Sequence, residues 1–200
     1  VYSEHPISIW PLDDSAEYVS LITESQRSIN VLNGWSITGG TVEDSDSSIS
    51  PFPNSATTKI TGIEPSSSVE FGSIVLKSPA LISEETVNQS LGSLTIGAKI
   101  FSNVSYIRSV EIGYRRGGDQ PVLSSYSATA FQVWGDYLAT LELPELTSDL
   151  NLVIVINFLN GNYGVPSGDP EYSNIIYDFY VNGVTAGQLC EEFSVSSLGQ

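Results

Sequence analysis

An alternation of apolar with mostly polar positions in the last third of the chain limits its possible folds more than any other feature. Beyond Trp134, every second residue is apolar, at Tyr137, Ala139, Leu141 and Leu143. Side chains two positions apart lie on the same face of a β-strand, so this pattern is typical of a strand with one buried face. Pro144 follows the run and predicts the end of the strand.

Two further apolar runs follow in the same region. One face of the first run is formed by Leu150, Leu152, Ile154 and Ile156. Val153 and Val155 make the opposite face of that run apolar as well. The second run, Ile175–Val181, is followed by Asn182-Gly183, the dipeptide that most readily forms a tight hairpin turn. These runs predict two more strands, the last of them closed by a hairpin.

The composition favours the same fold class. The chain is rich in Ser, Thr, Gly, Val, Ile and Tyr and is only 15% charged, whereas helical proteins usually carry more Ala, Glu, Lys, Arg and Leu. Helical turns are predicted at Ser15–Tyr18, Ser83–Ser90 and Asp169–Ser173, but none of these segments has an apolar stripe of helical period. We therefore expect an all-β protein with little helix, a two-sheet antiparallel β-sandwich of the jelly-roll type.

Turns that contain glycine divide the rest of the chain into short runs rich in β-branched residues. Strands are predicted at Tyr18–Ile22, Trp35–Thr38, Thr57–Ile63, Ser73–Lys77, Ser93–Phe101 and Ile107–Tyr114. Pro6 and Pro11 interrupt the N-terminal apolar stretch, and proline cannot donate a hydrogen bond to a strand ladder. Residues 1–23 are therefore expected to be an arm or an edge strand, and residues 24–200 to form the sandwich.

The acidic balance of the chain limits its partners. The formal net charge is −16, from 23 acidic and 7 basic residues. Such a field repels phosphate backbones and anionic lipid, so neither a nucleic acid nor a membrane surface is predicted as a partner. The longest unbroken apolar run, Leu152–Ile156, is much shorter than a membrane span.

The sequence contains no recognisable catalytic constellation. His5 is the only histidine and Cys190 the only cysteine, which does not match the ligands of a zinc site. Cys190 is interpreted as a small buried residue rather than a nucleophile. With 23 acidic residues, a pair at the spacing used in glycoside hydrolysis will occur by chance. We therefore expect no enzyme activity.

Three segments resemble carbohydrate-binding jelly rolls and occur in the same order. Residues 33–45 read NGWSITGGTVEDS, residues 134–156 read WGDYLATLELPELTSDLNLVIVI, and residues 177–184 read YDFYVNGV. These domains often begin with an Asn-Gly turn and a Trp, and often end on a strand that carries an Asp. The resemblance implies the jelly-roll fold and a glycan as ligand.

The ends of the chain carry a second resemblance. Residues 5–14, HPISIWPLDD, are similar to the N-terminal strand of laminin-G-like and concanavalin-A-like sandwiches. Together with Gly187-Gln188, Glu191-Glu192-Phe193 and Ser197-Leu198-Gly199, they also resemble structural proteins of marine tailed phages.

The phage resemblance implies a structural or adhesion domain on a virion, of the capsid-decoration or tail-fibre type. Its partners would be other virion proteins or further copies of the chain, for instance in a trimer, and a cell-surface glycan. It would be located on the virion surface or outside the cell. The alternative is a carbohydrate-binding module of a secreted bacterial enzyme.

No cofactor is required by the sequence, and calcium is the one candidate. The resemblance matches Asp178 to the terminal-strand acid that joins a structural calcium in carbohydrate-binding jelly rolls, although Phe179 replaces the usual second acid. Asp44 and Asp46 cluster in a predicted loop, where oxygen ligands on irregular backbone suit calcium. The alternative is that these loop acids are simply solvated.

Sugar recognition needs an exposed aromatic face and a few polar partners. Trp35 and Trp134 lie in strand patterns, where a tryptophan is usually part of the core. The predicted ligand-binding residues are Tyr163, Asp169, Glu171 and Tyr126. The two tyrosines lie among Ser, Asn and Gly in predicted loops, and the two acids, in the loop of residues 160–172, would accept hydroxyl hydrogen bonds or hold calcium.

Overall fold

The structure is a computed structural model that describes residues 16–29, 31–43, 57–83, 85, 92–102, 107–127, 132–143, 149–166 and 175–191. In these residues the strands are β1 Ala16–Ser20, β2 Ser36–Thr38, β3 Gly40–Glu43, β4 Thr58–Gly62, β5 Phe71–Ile82, β6 Ser93–Ser102, β7 Ile107–Arg116, β8 Val122–Ser127, β9 Gly135–Glu142, β10 Leu150–Leu159 and β11 Tyr177–Glu191. They form two antiparallel sheets, which confirms the predicted jelly-roll β-sandwich.

The two sheets are built from strands that alternate along the chain. Sheet I has the order β3-β4-β11-β6-β9, and β1 pairs with β11 as well. Sheet II has the order β2-β5-β10-β7-β8. From β4 to β11 the chain passes repeatedly from one sheet to the other, so the strands at the centre of each sheet come from distant parts of the sequence.

The core lies between the inner faces of the two sheets. Phe158 of β10 in sheet II packs at 5.0 Å between ring centroids against both Tyr177 and Phe179 of β11 in sheet I. Burial of one such side chain stabilises the fold by about 1.5–3 kcal/mol. Gly72 makes room for the Phe158 ring, because a Cβ atom at that position would lie 2.4 Å from it.

Most predicted strands are confirmed with shifted ends, and two strands were missed. Trp35 is 2% exposed and belongs to the core, as predicted. The missed strands are β3 and β8, because the sequence of β3 contains glycine and that of β8 is largely polar. Two short 3-10 turns occur, at Glu24–Arg27 and Val31–Asn33. Neither was among the predicted helical turns.

Of the predicted helical turns, the first is wrong. Ala16–Ser20 forms the strand β1, whose backbone bonds to β11 outweigh the local preference for a turn. Residues 169–173 lie outside the described residues, and only residues 83 and 85 of the second segment lie within them.

The hairpin predicted at Asn182-Gly183 is wrong as well. β11 continues through this dipeptide, and its pairing with β6 shifts register between Val181 and Val184. Gly183 has a φ of +65°, which suits the extra residue of a β-bulge. The preference of Asn-Gly for positive φ serves a bulge as well as a hairpin turn. At this bulge the neighbour of β11 on its other side changes from β4 to β1.

The first described residues form a strand at an edge of sheet I. β1 pairs with β11 from Ala16 opposite Glu191 to Ser20 opposite Gly187. Immediately after it, Ile22 is 5% exposed and joins the core. Because residues 1–15 lie outside the described residues, the division of the chain at residue 23 stays a prediction. Within the described part of the chain, no helix is long and apolar enough to cross a membrane.

Candidate functional site

The outer face of sheet II carries a connected set of polar side chains at its centre. Ser73 of β5, Asn157 of β10 and Ser109 of β7 lie opposite one another on adjacent strands. Ser73 Oγ donates to Asn157 Oδ1 at 2.5 Å, and Asn157 Nδ2 donates to Ser109 Oγ at 2.9 Å and to Glu111 Oε1 at 3.2 Å. We call these four residues the Asn157 network.

The network is open to solvent and keeps hydrogen-bonding capacity. Ser73 is exposed, and Asn157, Ser109 and Glu111 are half-buried. The amide of Asn157 is held at both ends by the network. The Glu111 carboxylate still offers acceptor sites, and Ser109, which accepts from Asn157, can itself donate. The face therefore presents fixed donors and acceptors side by side, which suits a ligand rich in hydroxyl groups.

A flat stacked pair lies beside this network. The guanidinium carbon of Arg108 lies 4.0 Å from the centroid of the Phe71 ring. Phe71 is two residues from Ser73 on the same face of β5, so roughly 7 Å of strand separates them. A register shift in the β10–β7 pairing, between Asn157 and Phe158, leaves Arg108 as an extra residue on β7. The bulge thus places a planar cation on an aromatic ring next to the polar network.

The outer face of sheet I is different, because its aromatic side chains pack against one another. The Phe101 ring lies 5.4 Å from the Trp134 ring and 5.9 Å from the Tyr180 ring, measured between centroids. Tyr180 is only 4% exposed, and Trp134 and Tyr180 take part in further interactions. These three residues, which we call the aromatic row, form a small apolar cluster in which Tyr180 is buried and Phe101 and Trp134 are half-buried.

Tyr163 lies on a turn that is fixed to the rest of the sandwich. Asn160 Nδ2 donates to two backbone carbonyls of the loop before β5, at 3.0 and 2.7 Å. Asn160 Oδ1 accepts from the backbone N–H of Asn162 at 3.0 Å and from Tyr177 Oη at 3.2 Å. The Tyr163 side chain itself is 53% exposed. The aromatic face predicted for this loop is thus present on ordered backbone.

Tyr126 does not lie in a loop, which corrects the predicted placement. It belongs to β8, donates from Oη to the Leu138 carbonyl at 2.6 Å, and packs edge-on to Tyr137 with 6.1 Å between ring centroids. Burial raises the pKa of Tyr126, and a hydrogen bond with Ser124 partly offsets that shift. The strand β8 was not predicted because its sequence is rich in Ser. A ligand contact at Tyr126 stays a prediction.

Asp178 is bound by neighbouring side chains of sheet I. Thr61 Oγ1 donates to Asp178 Oδ1 at 2.9 Å, and Lys59 Nζ lies 3.5 Å from Asp178 Oδ2. Among the described residues, no group of three His, Cys, Asp or Glu side chains could hold a metal ion. The other predicted calcium or ligand residues lie outside the described residues: Asp44, Asp46, Asp169 and Glu171. A calcium site stays a prediction.

Sequence reasoning missed the Asn157 network. The apolar run predicted as a strand ends at Ile156, and both of its faces are interpreted as apolar because Val153 and Val155 occupy two outward positions. Asn157 occupies the next outward position of the same strand, which the two-residue period of a strand reveals. The partners of Asn157 come from strands that are 46 to 84 residues away in sequence, so their proximity had no local signal.

No protein-family model matches the chain, and no curated protein matches it by sequence. Solved structures with a similar arrangement include TmCBM61, described in complex with β-1,4-galactotriose, with 10% identity, a TM-score of 0.45, and coverage of 77% of this chain and 88% of that chain. The CBM22-2 xylan-binding domain of Xyn10C from Paenibacillus barcinonensis is 13% identical, with a TM-score of 0.43 and coverage of 81% and 95%.

Another similar structure is the enzymatically active domain of tailspike protein 4 from bacteriophage CBA120. It is 11% identical, with a TM-score of 0.47, and the match covers 84% of this chain but only 21% of that chain. At such identities and TM-scores, these likenesses decide neither the ligand nor the setting of this chain.

Proposed function

We propose that this chain is a non-catalytic domain that binds a glycan on the outer face of sheet II. The observation that carries the proposal is the Asn157 network with the Phe71–Arg108 pair beside it. A sugar offers hydroxyl groups that both donate and accept, together with flat faces of C–H bonds. Binding sites for such ligands combine a few fixed polar groups with an apolar or aromatic surface. The network provides the first and the stacked pair provides the second.

The affinity of a single face is expected to be low. The site is shallow, and a few hydrogen bonds with one stacking contact correspond to a dissociation constant near 1 mM, or about 4 kcal/mol. Useful adhesion then requires several copies of the domain, since linked sites increase the overall affinity by avidity. A repeated or trimeric arrangement of the chain fits this requirement.

We further propose a setting on the surface of a virion, as an adhesion or decoration domain outside the cell. The support is the similarity of residues 5–14 and of the C-terminal residues to structural proteins of tailed phages. The second candidate is a carbohydrate-binding module of a secreted bacterial enzyme, which the jelly-roll fold supports equally. The neighbouring genes distinguish the two: capsid and tail genes support the first, and a glycosidase domain on the same polypeptide supports the second.

A glycan array with a multimerised form of the domain tests the binding face. Asn157→Ala removes all three hydrogen bonds of the network. Binding is expected to weaken at least about fivefold, since a loss of about 1–3 kcal/mol corresponds to a factor of about 5 to 150. Asp136→Asn, on the outer face of sheet I, is the matched control and should bind like the unaltered domain. Equal binding by both variants would exclude this face, and binding of no glycan by the multimer would exclude the function.

The loop that carries Tyr163 is tested in the same experiment. Tyr163 is exposed at 53%, so Tyr163→Ala should change the melting temperature very little. If this variant loses binding while Asn157→Ala keeps it, the binding surface is the loop and not sheet II. If both variants lose binding, the ligand contacts the loop as well as the sheet.

A further inference from the structure

A separate pocket of about 300 Å³ lies at the edge of sheet II. The described residues that line it are Ser25, Gln26, Asn33, Trp35, Pro79 and Leu81. Pro79 lies six residues along β5 from Ser73, so roughly 20 Å of strand separates the pocket from the Asn157 network. A ligand in this pocket therefore would not contact the proposed binding face.

The pocket exists because the edge strand β2 is short. β2 pairs with β5 at Val75–Lys77, and the chain before β2 then covers the rest of that edge with its two 3-10 turns. Pro79 suits this part of the edge, which has no paired strand, because proline has no N–H to leave unpaired. Gly34, with a φ of +81°, brings the chain against Pro79, since a Cβ atom at that position would lie 3.3 Å from the Pro79 Cβ.

The polar side of the pocket is held in position by local hydrogen bonds. The backbone N–H of Thr23 donates to Gln26 Oε1 at 2.8 Å, which leaves the Gln26 amide nitrogen as a donor. Asn33 Nδ2, in the second 3-10 turn, lies 3.5 Å from the Ser25 carbonyl in the first. One hydroxyl and two carboxamides therefore face the apolar side chains. Among the described lining residues, none carries a charge.

The apolar side includes Trp35, whose ring is almost completely buried. Its exposure is 2%, and its Nε1 is buried without a hydrogen-bond partner in the described part of the chain. An unpaired buried donor costs about 1–3 kcal/mol of stability. Because Nε1 itself is buried, a ligand in the pocket would contact Trp35 through the small part of the side chain that is exposed.

We propose that this pocket is a second binding site, which takes one neutral sugar ring. Its volume is at the lower end of the range of ligand pockets, about 300–1,000 Å³, so it accommodates one ring rather than a chain of sugars. The hydroxyl and carboxamides bind sugar hydroxyls, and the side chains of Pro79 and Leu81 pack against the C–H face of the ring, with the small exposed part of Trp35 beside them. The neutral lining and the net charge of −16 disfavour an anionic sugar.

Nuclear magnetic resonance of the tryptophan indole groups tests this site on the intact chain. The three tryptophans give three indole N–H signals, and the signal that disappears in Trp35→Phe identifies Trp35. Neutral methyl glycosides of glucose, galactose, mannose and N-acetylglucosamine are the probes, with glucuronic acid as the charged comparison. At least one neutral probe should shift the Trp35 signal in a saturable way, with a dissociation constant near 1 mM, and glucuronic acid should bind at least tenfold more weakly.

Two variants identify the pocket as the source of the shift. Ser25 is exposed, so Ser25→Leu fills the pocket without disturbing the core and should weaken the interaction at least tenfold. Asn33→Ala, also at an exposed position, removes one carboxamide and should weaken it several-fold. Asn157→Ala is the control and should leave the Trp35 titration unchanged, which separates this site from the face of sheet II. No saturable shift with any neutral probe, an unchanged titration in Ser25→Leu, or equal binding of glucuronic acid would overturn the proposal.

Discussion

The outer faces of the two sheets differ in how far they are covered. On sheet I, Asp178 and Tyr180 of β11 are 8% and 4% exposed although they point away from the core. On sheet II, Ser73 is exposed and Asn157 is half-buried at the corresponding centre of the sheet. An aromatic cluster that is buried adds stability, whereas a polar network that stays open is available to a ligand. The two faces of the sandwich therefore differ in how far their central side chains are available to a partner.

Burial on the outer face of sheet I also explains why Asp178 has partners for its charge. A buried carboxylate requires a hydrogen-bond donor or an opposite charge, and Asp178 has both in Thr61 and Lys59. On sheet II, by contrast, Glu111 is bound by one amide and remains half-buried. The Asp178 carboxylate of sheet I is thus satisfied on both oxygens, whereas the Glu111 carboxylate of sheet II retains capacity for a partner.

The largest expected effect is a loss of stability at the aromatic row. Tyr180→Ala removes a side chain that is 4% exposed and packs on Phe101, so it should lower the free energy of unfolding by about 3–5 kcal/mol. Urea denaturation followed by tryptophan fluorescence measures this change. Tyr180→Phe keeps the ring and should cost much less. A small loss for Tyr180→Ala would mean that the outer face of sheet I is open, and the contrast between the faces would fail.

Three tyrosines with raised pKa values make stability fall at alkaline pH. Burial raises the pKa of Tyr114, Tyr126 and Tyr177 above the usual value of about 10. The folded state then holds protons that the unfolded state releases, so this contribution is complete below about pH 10 and is lost as the pH rises through the folded pKa values. Melting temperatures from about pH 9 to 12 should show the fall.

The contribution of one sheet I residue to this fall can be separated. Tyr177→Phe removes a titrating group of β11 but also its hydrogen bonds with Gly161 and Asn160. The slope of stability against pH, rather than stability itself, is therefore the quantity to compare. A slope as steep as that of the unaltered protein would show that Tyr177 does not titrate as its burial requires.

Periodicity predicted most of the sandwich because most of its strands carry their own pattern. β9 alternates perfectly between buried and exposed residues, and its strand was predicted from that pattern alone. The bulge in β11 was not predicted, because the preference of Asn-Gly for positive φ fits a hairpin turn as well. Only the pairing of β11 with β6 decides between a bulge and a hairpin. The site was harder still, since the Asn157 network joins three strands that no local pattern relates. The exposure of Tyr163 was predicted correctly, because a single aromatic residue among Ser, Asn and Gly in a loop is a local feature.

A smaller effect on stability is expected on sheet II. Asn157→Ala breaks hydrogen bonds that are partly exposed to water, so the free energy of unfolding should fall by only about 1 kcal/mol. The same variant is expected to lose glycan binding. Tyr180→Ala, by contrast, should mainly lose stability. A loss above about 3 kcal/mol would mean that the network holds sheet II together, because a partly exposed hydrogen bond alone does not contribute so much.

The smallest effect is expected from the ion pair at the edge of sheet I. Lys99 Nζ lies 2.7 Å from Asp136 Oδ1, and their side chains are 23% and 27% exposed, so water and salt screen the pair. A double-mutant cycle with Lys99→Gln and Asp136→Asn should give a coupling energy of about 0.5 kcal/mol, because partly exposed pairs contribute about 0–1 kcal/mol. The coupling should fall further at about 1 M salt, where the screening length is only about 3 Å. A coupling of about 2 kcal/mol that does not change with salt would show that the pair is buried from solvent like Asp178, since only a desolvated pair escapes screening. The covered region of sheet I would then extend from β11 to its edge strand β9.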